Sequence, residues 1–212
     1  LSIDPHIDFV FPPAGEPGTS PPFTFFGRNL PGGSLGADWK LGGKLLETVS
    51  KTIAVPETPR VPARFDPGLP RQGMLEGFYA GLPGSNEIKI GFATAPVVLE
   101  KDGNSLQELT LPTEVAGRFD KPGDFDQFRI RAEKGKTYWI EAISHRLGSI
   151  ADPVIIVERI ETGDDGKETF TPVVENDDPP SFFGKDFLDD LNADSLDPEL
   201  SFTPEADGDY RI

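Results

Sequence analysis

Residues 114–144 read EVAGRFDKPGDFDQFRIRAEKGKTYWIEAIS, and their pattern decides the fold. EVAGRF is a short β-prone run that stops at DKPGD, a cluster of turn formers. In FDQFRIRA, Phe125, Gln127 and Arg129 fall on one side and Asp126, Phe128 and Ile130 on the other. Consecutive strand residues point to opposite faces, so this stretch suits a sheet. Gly135 then turns the chain into KTYWIEAIS. Three strands and two turns in so short a span leave no room for a helix.

The same rhythm runs outward in both directions. Downstream come PVIIVERI (153–160), a hairpin tip ETGDDGKE (161–168), the return TFTPVVEN (169–176) and, at the end, LSFTPEADGDYRI (200–212). Upstream, HIDFVF (6–11), PPFTFFGRNL (21–30), LLETVSKTIAV (45–55), MLEGFYAGL (74–82) and EIKIGFATAPVVLE (87–100) read as strands with turns. The pairs Gly32-Gly33 and Gly42-Gly43 have no helix after them and read as turns rather than phosphate loops. Residues 56–73 hold five prolines and no apolar period, which predicts a long loop. Strands at roughly 8–14-residue spacing with no helices between them predict an all-β chain of sandwich type. KDGNS (101–105) is the natural break. The expected organisation is two tandem β-sandwiches: an immunoglobulin-like domain over 1–99 and a second, jelly-roll-like domain over 100–212.

Composition agrees. Of 212 residues, 36% are hydrophobic and 16 are Phe, too apolar for a disordered chain. The 22 Pro and 23 Gly disfavour long helices and suit short strands joined by turns. No apolar run approaches membrane-spanning length. The absence of cysteine removes disulfides, thiolate metal sites and cysteine nucleophiles. The net charge of −16 disfavours nucleic acid, whose phosphates need Lys and Arg, and anionic membrane surfaces. Residues 1–112 carry 12 acids and 9 bases, and residues 113–212 carry 24 acids and 11 bases. That asymmetry also points to two units, the acidic one second. The chain opens on Leu1 and stops at Tyr210-Arg211-Ile212 in what reads as mid-strand, so a piece of a longer protein is expected.

The second half resembles the bacterial pre-peptidase C-terminal domain, in the form carried by large exported proteins of planctomycete-type bacteria. The matching pieces, in order, are GRFDKPGDFDQF, then KGKTYWIEAISHRLGSIADP, then ENDD, then DGDYRI. The family's usual Glu-Pro-Asn entrance is replaced by Glu100-Lys101-Asp102-Gly103-Asn104. FPPAGEPGTSPPFTFFGRNL is similar to the opening of the immunoglobulin-like modules that precede such domains. The resemblance implies a non-catalytic sandwich on an exported protein, placed at the cell surface, in the periplasm or outside the cell. Relatives flank secreted proteases, and some collagenase-borne members bind collagen and calcium. The family normally continues with one or two more strands, which implies that the second domain is truncated here.

The densest chemistry lies in ENDDPPSFFGKDFLDDLNADSLDPEL, residues 175–200, where many acids and a single Lys are interleaved with Phe and Leu. Calcium takes six to eight oxygens from carboxylates, carbonyls and water. Asn176, Asp177 and Asp178 offer such oxygens on a turn, followed by Asp194 and Asp197. Asp190, Asn192 and Asp194 have the spacing that opens an EF-hand loop. However, Ser195 and Ser201 stand where that loop needs Gly and Glu, so an EF-hand is excluded. Two readings stay open: a calcium site of another kind, and a solvated acidic loop whose Phe and Leu residues fold back on the sandwich.

Asp124 and Asp126 read as turn-forming groups, and Asp152-Pro153 as a strand entrance. His145 in ISHRLGS is one of only two histidines, and neither a G-x-S-x-G elbow nor an H-E-x-x-H is present. Catalysis is therefore not expected. Of Tyr138 and Trp139, one must face the core and the other outward, and an outward aromatic could stack on a sugar or on a collagen-like proline. Trp39 is expected in packing.

The sequence thus predicts a non-catalytic adhesion, targeting or spacer segment of a larger exported bacterial protein, with calcium as the candidate cofactor. Its partners would be an extracellular protein or a polysaccharide. The alternative is a non-catalytic part of a secreted peptidase or other hydrolase that binds the substrate.

Overall fold

The computed structural model of the chain describes residues 3–58, 75–101, 106–119, 121, 123–149, 151–177 and 197–212. The Pro-rich stretch 59–74 and most of the acidic stretch, including Asp178 and Asp194, lie outside the described residues. In chain order the strands are β1 (His6–Phe11), β2 (Ala14–Gly15), β3 (Pro22–Arg28), β4 (Ser34–Leu41) and β5 (Lys44–Thr52). There follow β6 (Gly77–Gly81), β7 (Glu87–Phe92), β8 (Val97–Leu99), β9 (Gln107–Glu108) and β10 (Glu114–Ala116). The series ends with β11 (Phe128–Ala132), β12 (Tyr138–Glu141), β13 (Ile155–Thr162), β14 (Glu168–Asn176), β15 (Glu199–Phe202) and β16 (Gly208–Arg211). The helical element among the described residues is a 3-10 turn, His145–Leu147.

The described residues divide into two compact units. The first holds residues 3–58, 75–100 and 112–118, and the second the remainder. The division falls after Glu100, but residues 112–118, placed with the second domain on sequence grounds, fold with the first unit. The reason is that β10 adds in parallel to β8, pairing Glu114–Ala116 with Val97–Leu99.

In the first unit an antiparallel sheet of order β1-β3-β5-β4 faces a second sheet of order β2-β7-β6. Both contribute to one core: Ile7, Val10, Phe23 and Phe25 from the larger sheet, Phe78 and Ile90 from the smaller. In β3 the alternation sends Phe23 and Phe25 inward. Phe26 points the other way and is covered by a stack with Phe9, centroids 4.6 Å apart, and by Trp39 at 4.2 Å. The Arg118 guanidinium lies over the Trp39 ring, 4.7 Å from its centre. β1 carries an irregularity between Ile7 and Phe9. The Asn86 side chain satisfies the backbone there, accepting from Ile7 N at 2.7 Å and donating to Ile7 O at 3.0 Å. Gly27 is required where β3 passes β1, since a Cβ there would stand 2.0 Å from the His6 carbonyl oxygen.

β4 is not evident from sequence, because SLGADWKL has no clean alternation and sits between two Gly pairs. It is the edge strand of its sheet, and Leu35 and Leu41 are exposed on it. Gly42 and Gly43, both at positive φ, make the two-residue hairpin that returns it to β5.

In the second unit a sheet of order β14-β13-β16-β11-β9 packs on the pair β12-β15. Ile130, Ala132, Ile155, Val157 and Tyr210 from the large sheet meet Leu200 and Phe202 from the small one. This face-to-face arrangement is a β-sandwich. The Tyr210 hydroxyl donates to the Ala206 carbonyl at 3.1 Å, locking the turn into β16 as tyrosine corners do in Greek-key sandwiches. On the outer face Arg211 pairs with Glu158 and covers the Phe170 ring at 3.6 Å, while Arg129 bonds Glu168 at 2.5 Å. The chain is all-β and of sandwich type in both units.

Candidate functional site

Two places in the second unit concentrate chemistry. One is the corner after β12, and the other is the outer face of β12 and β15.

ISHRLGS forms the corner. Ser144 precedes the 3-10 turn His145–Leu147, and Gly148 closes it at φ 85, a left-handed conformation suited to glycine. The start of any helical turn leaves N–H groups without partners. Asp197, which leads into β15, supplies them. Its Oδ1 accepts from Ser144 N at 2.7 Å and from His145 N at 2.5 Å. Its Oδ2 accepts from Arg146 N at 3.1 Å and from Arg146 Nε at 2.8 Å. Arg146 Nη2 reaches on to Glu141 Oε1 at 2.5 Å. The main chain continues the tie, with Ala142 N donating to Pro198 O.

Asp197 is 2% exposed, and its charge is compensated from all sides. Burial alone would raise its pKa, but the Arg146 guanidinium and the amides of Ser144, Arg146 and His145 outweigh burial and lower it. Burial likewise disfavours the charge on Arg146, and its bonds to Asp197 and Glu141 outweigh that and raise its pKa. The network holds the corner in one conformation. His145 is 4% exposed within it, and the Ser149 hydroxyl accepts from Ala151 N at 3.0 Å.

Of the expected calcium ligands, Asn176, Asp177 and Asp197 lie among the described residues. A carboxylate offers about four lone-pair sites, and Asp197 meets four N–H donors, so it serves as an anchor for the corner. Asn176 ends β14, and among the described residues its Oδ1 is buried with no hydrogen-bond partner. Asp177 follows and is exposed. Asp178 and Asp194 lie outside the described residues. No group of three or more His, Asp or Glu side chains placed to share a cation occurs among the described residues. Asn176 and Asp177 alone do not make the six-to-eight-oxygen cage that calcium takes.

The β12–β15 pair has two unlike faces. Inward, Tyr138 stacks against Phe202 with centroids 5.5 Å apart, and its hydroxyl accepts from Glu133 N at 2.9 Å. Outward, Trp139 is 78% exposed. It sits in a ladder of three cross-strand rows. Trp139 faces Ser201 and Glu141 faces Glu199, while the hydroxyls of Thr137 and Thr203 lie 2.9 Å apart. All six side chains on this face belong to exposed residues. A large aromatic left in water amid hydroxyls and carboxylates is the arrangement of a contact surface.

The sequence shows the split between Tyr138 and Trp139 but not which ring faces out. It misses the Arg146–Asp197 pair, whose members are 51 residues apart. A signal was present: Asp197 precedes Pro198 and the alternating residues of β15, the same pattern that marks Asp152-Pro153 as a strand entrance.

Among the described residues no helix is long and apolar enough to cross a membrane. Comparison of the chain with protein-family models, with curated proteins and with solved structures finds no match.

Proposed function

We propose that the chain is a non-catalytic accessory segment of a larger exported bacterial protein, and that it attaches that protein to an extracellular polymer through the second sandwich. Trp139 carries this reading: its indole, 78% exposed, presents a large apolar ring to solvent on a face otherwise made of hydroxyls and carboxylates. The corner beside it supports the reading, because Asp197 and Arg146 are occupied in holding backbone amides and each other. The motif order GRFDKPGDFDQF, KGKTYWIEAISHRLGSIADP, ENDD and DGDYRI, which resembles the pre-peptidase C-terminal domain, adds the exported setting.

The test is depletion of the purified chain from solution by insoluble chitin, cellulose or fibrillar collagen, with the supernatant assayed for released sugars and peptides. Retention on one matrix, lost in Trp139→Ala, with nothing released, is the expected result. Release of sugars or peptides, or no retention on any matrix, overturns the reading.

A further inference from the structure

We infer that the outer face of β12 and β15 is a platform for a neutral glycan, a conclusion that rests on the accessory reading above and names its ligand class. The face is small. Three cross-strand rows extend roughly 13 Å along the strands, at about 6.6 Å per same-face residue pair. That is the footprint of a short run of sugar rings.

Each row offers something a pyranose uses. The indole of Trp139, in the central row, presents the electron-rich face of its ring to the C–H groups on one side of the sugar, whose hydrogens carry partial positive charge. Glu141 and Glu199, in the row beyond, accept hydrogen bonds from sugar hydroxyls. Ser201, Thr137 and Thr203 both donate and accept, as sugar hydroxyls do.

Charge narrows the class. Glu141 and Glu199 stand directly across from each other, an arrangement that weakens a strand pair. Arg146 relieves it from the side through its bond to Glu141. A face with two carboxylates repels sulfated and uronic-acid polymers, so the glycan is neutral. Extended proline-rich peptides dock in aromatic-lined grooves, whereas among the described residues the three rows of the β12–β15 face carry one aromatic, Trp139.

The experiment is isothermal titration of the whole chain with cellohexaose, chitohexaose, polygalacturonate and a collagen-model peptide, each repeated with Trp139→Ala and followed by product analysis. Binding of at least one neutral hexaose is expected, with a roughly thirtyfold loss in Trp139→Ala, as for truncation of a hot-spot aromatic. The variant keeps its melting temperature because the indole is exposed. No heat with either neutral hexaose, equal affinity in a folded Trp139→Ala variant, or preference for polygalacturonate or the peptide overturns the platform. Failure to bind without cleavage sinks the glycan assignment and leaves the accessory reading standing. Cleavage of a bound hexaose sinks the accessory reading and leaves the Trp139 platform in place.

Discussion

Replacing Asp197 with Ala removes the acceptor of four N–H groups at once: those of Ser144, His145 and Arg146 in the main chain and Nε of Arg146. Removing one partner of a buried ion pair costs about 3–5 kcal/mol, because the other charge is left uncompensated. The orphaned amides push the value to the upper end, since each buried unsatisfied group carries its own desolvation cost of about 1–3 kcal/mol. In a domain of this size each kcal/mol lowers Tm by roughly 4–8 °C, so the transition of the second unit falls by at least about 12 °C. Arg146→Met is milder. Asp197 then keeps its three amides and loses one charge-assisted bond, worth about 1.5–3 kcal/mol. In the double variant the loss of Arg146 adds little to the loss of Asp197, because their shared interaction is already gone. Scanning calorimetry of the four proteins gives the numbers. A cost for Asp197→Ala below about 1 kcal/mol, a larger cost for Arg146→Met, or simple additivity of the two would refute the anchoring role.

The same pair sets a pH dependence. The Asp197 carboxyl is held below its ordinary value, so its contribution is complete above the unfolded pKa of about 3.9 and is lost as pH falls through the lower folded pKa. Urea titrations from pH 6 to pH 2 should show this acid loss in the native chain and a flatter profile in Asp197→Asn; parallel profiles would contradict it. Gly27→Ala places a Cβ against the His6 carbonyl and forces β1 from β3, with a stability loss of about 3 kcal/mol or more by denaturant unfolding. A loss under about 1 kcal/mol would show that the two strands yield. If Asp197 is an anchor rather than a ligand, the loss in Asp197→Ala is the same in EDTA and in millimolar calcium. A loss seen only with calcium would make Asp197 a ligand.

The sandwich class was legible because alternation and turn residues are local signals. HIDFVF matches β1 residue for residue, and PVIIVERI and TFTPVVEN form the paired β13 and β14. β4 was not legible, because an edge strand with exposed leucines and internal glycine has no burial pattern to display. The parallel addition of β10 to β8 was hidden for another reason: the chain passes through the second unit between them, and such a return leaves no mark in either strand. At the site, the acids of residues 175–200 left two readings open, a calcium site and a solvated acidic loop. Neither contained the bonds that Asp197 makes to backbone amides and to a guanidinium, supplied by the corner after β12. Side-chain capping across 51 residues is a tertiary fact. Trp139 was half legible. The period of two shows that adjacent aromatics part ways, but only the packing of Tyr138 on Phe202 decides which one goes inside.

The most direct test of the account is a nitrogen–proton correlation spectrum of the labelled chain titrated with chitohexaose and with cellohexaose. The chain has two tryptophans and therefore two indole N–H signals. Trp39 lies among Phe9, Phe26 and the Arg118 guanidinium, whereas Trp139 stands in water on the β12–β15 face. The account predicts that one of the two sugars moves the Trp139 signal and the amides of β12 and β15, and leaves the Trp39 signal in place. A spectrum unmoved by both sugars, or one in which Trp39 shifts and Trp139 does not, would contradict it.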